Sequence, residues 1–514
     1  MQTKNRQRIF LFIIFFTPLL ATLLISHFVF DQIPHVQDSI AQLFQAKIFA
    51  SGRLYTTSHP LKEFFDYTHM INNGKWYSQY PPGHALFLMF GVLLSMPWIT
   101  NPLLGALSVL LIFFLGKELK DAKTGQLAAI LTIFSPFFLF MSSEFMAHSS
   151  AMFAITLFAL FFAKAIKHQK YRYAFVAGIG LGLCAIIRPY TAFALSIPFL
   201  SYGIILAIRK TKKYLPFFAV IIGFTLFFLV LLFLYNQITN GHPFKFGYTV
   251  LYGKSHGLGF GKATWGPPHT LSRGIVNFWD SIKALNFHLF GWPYMSLLPI
   301  LALLISKKMG KWDCIIFLSF LCLAIAHIFY WYHDLCFGPR FLYEALPFLV
   351  ILSARGLNAI FDSIKRRVKG KNISNRTIKL IFGIILVLLF FYNIAHTIPI
   401  LIKGDEPNYY WKDRGYANSY WGVDAHLAKQ VKNKKLTNSI VFVHYDYPVF
   451  PFDSTLWYGS GFLNNSPDLK DNVLYARHLG ARDTLIMDFY PDRKYYLYIG
   501  KLKAGRFIEL QRPR

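Results

Sequence analysis

Arg188 ends the apolar run Tyr173–Ile187 and stands directly before Pro189. Arg340 lies in the turn Phe337-Gly338-Pro339-Arg340-Phe341-Leu342-Tyr343-Glu344, ahead of another apolar run. A basic side chain costs about 2.5–3.5 kcal/mol at the centre of a membrane-spanning helix and less towards its ends, so these positions call for an explanation. A guanidinium offers anion binding through forked, charge-assisted hydrogen bonds, and phosphate is the natural anion. The alternative that needs no ligand is pairing with Glu344, Asp334 or Glu144. Asp38, in Pro34-His35-Val36-Gln37-Asp38-Ser39, opens a segment of helical spacing. Alone it suits a helix N-cap or first turn; with charged partners it becomes a functional acid at the membrane surface.

Other groups are weaker. Glu144 and His148 are spaced i, i+4 and share a helix face, but two such residues do not make a metal site. HExxH is absent, and the first polar loop holds no D-x-D. The glycine-rich stretch Tyr252–Lys262 contains His256 and Lys262 but fails the phosphate-loop spacing, with Tyr248 and His256 where glycines belong. It reads as a flexible loop that closes over a substrate. No CxxC or Ser/His/Asp set is present. Lys75-Trp76-Tyr77-Ser78-Gln79-Tyr80-Pro81-Pro82-Gly83-His84 reads as a rigid aromatic strap at a membrane interface.

The elements that carry these residues follow from composition. Of 514 residues, 54% are hydrophobic, 18% aromatic and only 15% charged, with a mean hydropathy of +0.39. Soluble chains carry about 25% charged residues, and runs of about 20 apolar residues cross membranes. A polytopic membrane protein is expected, and a soluble enzyme is excluded. The net charge of +29 comes largely from basic clusters between apolar runs, where they orient a membrane protein rather than bind nucleic acid. The four cysteines have neither metal nor disulfide-framework spacing.

Expected spans run roughly over 9–30, 101–119, 126–142, 147–166, 173–188, 190–208, 214–236, 287–306, 312–332, 341–360 and 380–402. Basic clusters recur in alternate loops: Lys117/Lys120/Lys123, Lys164/Lys167/Lys170/Arg172, Arg209/Lys210/Lys212/Lys213, Lys307/Lys308/Lys311 and Lys365/Arg366/Arg367/Lys369/Lys371. With a cytoplasmic N-terminus, eleven crossings put all of them inside. The apolar stretch 84–100 is short and holds Pro97, so it is expected to be re-entrant or juxtamembrane. Loops 31–83 and 237–286, with the turns holding Glu144, Arg188 and Arg340, then share the outer face.

Residues 1–402 are expected to form the membrane domain, and 403–514 a small outer α/β domain. Runs Ser439–His444, Thr484–Phe489 and Tyr495–Ile499 are expected to be its strands. In the first loop, Ile40, Leu43, Phe44, Ala46, Ile48 and Phe49 predict an amphipathic helix lying on the membrane.

Several motifs in this order resemble membrane glycosyltransferases of the GT-C fold, nearest to family 39-like enzymes related to protein O-mannosyltransferases and the lipid A aminoarabinose transferase. They are the first-loop acid, Gln42-x-x-Gln45-Ala46, Phe49–Tyr55, Tyr80-Pro81-Pro82-Gly83-His84, Phe290-Gly291-Trp292-Pro293 and Gly338-Pro339-Arg340-Phe341-x-x-Glu344. The resemblance covers roughly residues 1–360. It implies transfer, with inversion, of a sugar from a polyprenyl-phosphate donor to a lipid, glycan or protein hydroxyl, at the outer face of the plasma membrane. Asp38 matches the acid that serves as general base. Arg188 and Arg340 would hold the donor phosphate, with Lys262 and His256 as loop donors, and Glu144, His148, Tyr80, His84 and Glu344 in support. Many relatives carry Asp-Glu where this chain has Asp38-Ser39, which removes the second acid and support for a metal-dependent mechanism; Glu144 is the acid placed to compensate. No cofactor and no metal is indicated. The alternatives are a polysaccharide ligase or polymerase acting on lipid diphosphates, and a lipid or sugar transporter.

Overall fold

The computed structural model describes residues 2–367, 374–402, 423–445, 455–501 and 504–512. Lys369 and Lys371, and the expected start of the C-terminal domain at 403, lie outside these residues. Among the described residues, eight helices are long and apolar enough to cross a membrane. The membrane body comprises α1 (Gln2–Phe28), α3 (Gly83–Leu93), α4 (Thr100–Leu119), α5 (Ala122–Ile133), α6 (Pro136–Met141), α7 (His148–His168), α8 (Tyr171–Ile187), α9 (Pro189–Arg209) and α10 (Thr211–Asn240). It continues with α11 (Gly247–Tyr252), α12 (Leu271–His288), α13 (Leu298–Ile305), α14 (Lys311–Ala326), α15 (Leu346–Arg367), α16 (Asn375–Tyr392) and α17 (Ile398–Ile402). Helices α7 and α15 form the interior, while α1, α10 and α16 turn residues such as Phe12, Leu20, Phe227, Leu234 and Leu388 outward. An apolar rim of this kind is stable against lipid, not water. The chain is a multi-pass membrane protein.

Small residues set the helix spacing. A Cβ on Gly180 would lie 2.6 Å from the Phe158 backbone of α7, and Cβ atoms on Gly178 and Gly182 would strike Phe224 and Phe228 of α10. The Gly-x-Gly-x-Gly run of α8 thus lets two neighbours approach closely on opposite sides.

Two expected spans are not continuous helices. The run 126–142 breaks at Ser135, whose side chain accepts from Phe138 N and caps α6 at Pro136. The run 287–306 is interrupted between α12 and α13, across Gly291 (φ +63°) and Pro293. Helix α3 has eleven residues, about 16 Å at 1.5 Å per residue, against roughly 30 Å of hydrocarbon.

The first polar loop holds α2 (Gln37–Ala50) and a sheet of β1 (Thr56–Thr57), β3 (Lys75–Ser78) and β2 (Met70–Asn72), in that order and antiparallel. Helix α2 is not an amphipathic helix with one open face: it is buried on two sides. Leu43, Ala46 and Phe49 pack on Ala85 and Leu88 of α3 and on Tyr235. Ile40, Ala41, Phe44 and Ile48 join a second core with Trp76, Val423, Phe442 and Phe462. What reads in sequence as one broad apolar face is two stripes meeting two partners. Each large apolar side chain so buried contributes about 1.5–3 kcal/mol.

That second core belongs to the C-terminal α/β unit: α18 (His426–Asn433), β4 (Ser439–Tyr445), α19 (Gly459–Phe462), β5 (Val473–Arg477), α20 (Asp483–Phe489), β6 (Lys494–Lys501) and β7 (Ala504–Leu510). The sheet order is β5-β4-β6-β7, parallel except at β7. Thr484–Phe489, expected as a strand, is helical. Asp483 accepts from Leu479 N and His478, and Ile486 and Met487 turn inward. Lys47 of α2 donates to the carbonyls of Leu463 (2.7 Å) and Asn465 (2.9 Å), tying this unit to the Asp38 helix.

Candidate active site

Between the start of α2, the Tyr80 strap, the α8–α9 junction, α11 with its following loop, and the turn 330–341 lies a cavity of about 930 Å³. Its charged groups are placed by chain breaks. Proline disfavours helical geometry in the residue before it, so Arg188 (φ −140°, ψ 80°) separates α8 from α9 and reaches the cavity wall. Arg340 opens a 3-10 turn after Phe337 and Gly338, both at positive φ.

Asp38 is the second residue of α2, whose N-cap is Val36. Its carboxylate serves the cavity: Oδ1 accepts from the Tyr80 hydroxyl at 2.6 Å, and Oδ2 lies 3.4 Å from Arg340 Nη1. Burial opposes its charge, but Arg340, His69 and the Tyr80 hydrogen bond outweigh burial and hold the carboxyl well below its ordinary pKa. Asp38 is therefore ionised throughout the physiological range. Tyr80 shifts the other way, well above its ordinary value, through burial and the Asp38 charge.

The two arginines differ. Arg340, 5% exposed, is also paired with Asp334 at 2.8 Å, and its buried Nε has no partner. Arg188, 22% exposed, pairs through Nε with Glu344 Oε1 at 2.9 Å. His148 Nδ1 lies 2.9 Å from the same oxygen, and its Nε2 lies 3.4 Å from Arg188 Nη1. With Glu344 as carboxylate, Nδ1 carries the proton and Nε2 accepts from Arg188. The ion pairs conceivable without a ligand are thus present, and Arg188 keeps the more open guanidinium.

The remaining candidates divide. His256 lines the cavity and stacks on Tyr252 (4.8 Å), bonded to Thr264 Oγ1 at 3.0 Å. Burial first, then His69, lowers its pKa to about 4, so it is a neutral donor or acceptor and not a cation. Lys262 is exposed and does not line the cavity, because the turn through Gly259 and Gly261 (φ +106° and +126°) carries it out. His84 is buried below the strap, bonded to Ser150 and the Phe145 carbonyl. Glu144 stands behind α2, where Oε1 accepts from His35 N (3.0 Å) and Ser39 Oγ (2.7 Å). Among the described residues no group of three or more His, Cys, Asp or Glu side chains could hold a metal ion.

Sequence reasoning missed His69, Gln79, Tyr248, Tyr252, Tyr330 and Tyr332, all on the cavity wall. His69 carries positive φ (+66°), an outlier of the kind found at functional sites, but no motif surrounds it in the chain.

Two predictions follow from this packing. A Cβ on Gly247 would lie 2.4 Å from the Gln79 carbonyl, so Gly247→Ala should displace the strap that carries Tyr80. A fall in activity of ten- to a hundredfold is expected with the purified yield unchanged; wild-type turnover would contradict it. Burial raises the Glu144 pKa from 4.5 to about 7, against the Ser39 and His35 hydrogen bonds. The fold accordingly favours the protonated acid: the stability it contributes is full below pH 4.5 and lost as pH rises through 7. Glu144→Gln keeps the acceptor oxygen, so its melting temperature relative to wild type should rise between pH 5 and pH 8. A pH-independent difference would contradict this.

Residues 81–233 match the family model of dolichyl-phosphate-mannose-protein mannosyltransferases, and residues 451–506 match a domain of unknown function (DUF7846). No curated protein matches the chain by sequence. ArnT from Cupriavidus metallidurans bound to undecaprenyl phosphate superposes with a TM-score of 0.57 at 11% identity, over 96% of this chain and 93% of that one. The apo state of the same enzyme gives 0.56 at 11% identity, over 97% and 94%. The chain has the GT-C fold and is related to the mannosyltransferase family over the matched residues.

Proposed function

We propose that this GT-C-fold membrane protein is a glycosyltransferase that moves a sugar from a polyprenyl-phosphate donor to an acceptor hydroxyl. The single observation that carries the reading is the carboxyl group of Asp38, held by Tyr80 and Arg340 in the same cavity as the partly exposed Arg188. The family match and the undecaprenyl phosphate of the superposable enzyme support the donor class. The alternation of basic loops supports an outer-face site in the plasma membrane.

In the reaction the acceptor oxygen bonds to the anomeric carbon as the bond from that carbon to the phosphate oxygen breaks. The acceptor proton passes to Asp38, and the electron pair of the broken bond leaves on the lipid phosphate. A carboxylate held at low pKa is a weak base, so it takes the proton late, once the new bond has made the hydroxyl acidic. Attack from the face opposite the phosphate inverts the anomeric centre. Arg188 stabilises the charge growing on the phosphate. Arg340 touches Asp38 rather than the phosphate in this account and acts by positioning. Arg340→Gln should lower kcat about tenfold to a hundredfold with little change in donor KM. It should also move the acidic limb of the pH profile upward, because the first charge opposing burial is gone. An unchanged profile would contradict that role.

Donor exchange tests the function. Labelled sugar supplied on undecaprenyl phosphate should reach acceptor-containing membrane extract, and the same sugar on undecaprenyl diphosphate should not. The reverse preference would make the protein a ligase or polymerase.

A further inference from the structure

Helix α12 is amphipathic, and its apolar arc is wider than the protein covers. Gly274 and Leu285 are buried, and Phe278 and Ile282 pack beside them on the main core. One flank of that stripe continues through Leu271, Ile275 and Trp279, spaced i, i+4, i+8 and 54%, 42% and 55% exposed. At 3.6 residues per turn, Arg273 and Asp280 fall on the other flank and Lys283 on the back. The helix sits at the edge of the bilayer. The apolar stretch Lys311–Phe329 is long enough to cross a membrane and ends at Phe329. A Cβ on Gly274 would lie 2.3 Å from the Ile328 carbonyl oxygen, so α12 passes where that span stops. An apolar flank at this level, with the charges turned away from it and a tryptophan in the stripe, is the pattern of a helix lying in the membrane interface.

The charge of this region says what kind of surface would fit. Residues 237–286 carry Lys245, Lys254, Lys262, Arg273 and Lys283 against Asp280 as their one acid. Among the described residues Lys283 alone of the five pairs with an acid, Asp280 at 3.5 Å. Two of the others are brought to the start of α12. Gly261 and His269 exchange backbone hydrogen bonds of 2.8 and 2.7 Å, which sets Lys262 beside the residues that lead into the helix, and Arg273 Nη1 lies 3.4 Å from the Pro267 carbonyl oxygen. Exposed Leu258 and Phe260 alternate with these cations along the loop. Exposed apolar side chains beside unmatched cations complement a surface that is apolar inside and negatively charged at its headgroups; a zwitterionic surface would leave the cations unmatched.

We infer that α12 and the loop before it bind an anionic phospholipid surface: Leu271, Ile275 and Trp279 enter the acyl boundary, and Lys262 and Arg273 take the headgroup phosphates. The same loop carries Leu258, Thr264 and Trp265 on the cavity wall and is tied to the end of the neighbouring span by a 2.8 Å hydrogen bond from Gly259 N to the Phe329 carbonyl. Lipid bound here therefore steadies one wall of the cavity. Nothing in this placement depends on the transferase reading above.

The test is tryptophan quenching in the full-length chain held in phosphatidylcholine nanodiscs. A small fraction of the lipid is replaced by brominated phosphatidylcholine or by brominated phosphatidylglycerol, and wild type is measured beside Trp279→Phe. The quenching that disappears in Trp279→Phe reports lipid at Trp279. Both brominated lipids should quench it, phosphatidylglycerol at least fivefold more effectively at equal mole fraction. Lys262→Gln and Arg273→Gln should each remove most of that preference, because one cation near an anionic surface changes association by about fivefold. Quenching by brominated phosphatidylcholine should be unchanged in both, which also shows that the variants fold and that α12 keeps its place. Equal quenching by the two lipids in wild type overturns the anionic preference, and a preference intact in both variants overturns the assignment of Lys262 and Arg273. No quenching of Trp279 by either lipid overturns the membrane contact and makes the stripe a docking face for protein.

Discussion

Asp38→Asn should reduce turnover by about 10²- to 10⁴-fold while leaving donor affinity within a small factor of wild type. The change is isosteric. The amide keeps an oxygen for the Tyr80 hydroxyl at the Oδ1 position and loses only the negative charge and the capacity to take a proton. It also leaves Arg340 with Asp334 as its one carboxylate partner, at 2.8 Å, so the fold keeps its strongest contact there. Single-turnover kinetics beside donor binding measure the two effects separately. A loss of donor affinity with unchanged kcat would make Asp38 a binding group and remove it from the chemical step.

Arg188→Ala should weaken use of the donor by about 10²- to 10³-fold, the scale on which a single charge-stabilising donor acts on a developing anion. The alanine variant carries a second cost. It strips Glu344, which is fully buried, of its cation and leaves His148 as its partner, and breaking a buried ion pair costs about 3–5 kcal/mol. Arg188→Lys is therefore measured beside it. The lysine keeps the charge for Glu344 but not the planar fork that matches a phosphate. Its melting temperature should stay near wild type while its kcat/KM remains reduced at least tenfold. Full activity of the lysine variant would show that Arg188 serves Glu344 alone.

The membrane body was legible because apolar runs and basic loops are local signals, and Arg188 was conspicuous because it ends such a run beside a proline. Its partner Glu344 lies 156 positions later, and sequence could offer only a choice among three acids. Helix α2 was legible as a helix but not as a buried one. Its second contact face is supplied by residues beyond 420 that cover Ile40 and Phe44, and the periodicity of one helix cannot announce two neighbours. Lys262 had the right residue type for a phosphate, yet two glycines at positive φ turn its segment away from the cavity. His69 and Gln79 carry no motif; they reach the site through β2 and β3, whose pairing brings Met70 opposite Ser78. Thr484–Phe489 alternates like a strand, but Asp483 and the inward Ile486 and Met487 make it a helix.

The measurement that tests the account most directly is transfer of label from a panel of radiolabelled undecaprenyl-phosphate sugars into membrane extract, with wild-type protein beside Asp38→Asn. Wild type is expected to move label from at least one of these sugars to a new product and to release undecaprenyl phosphate, while the asparagine protein binds the same lipid without turning it over. Equal transfer by both proteins would contradict the role of Asp38. No consumption of any donor by wild type would contradict the function itself.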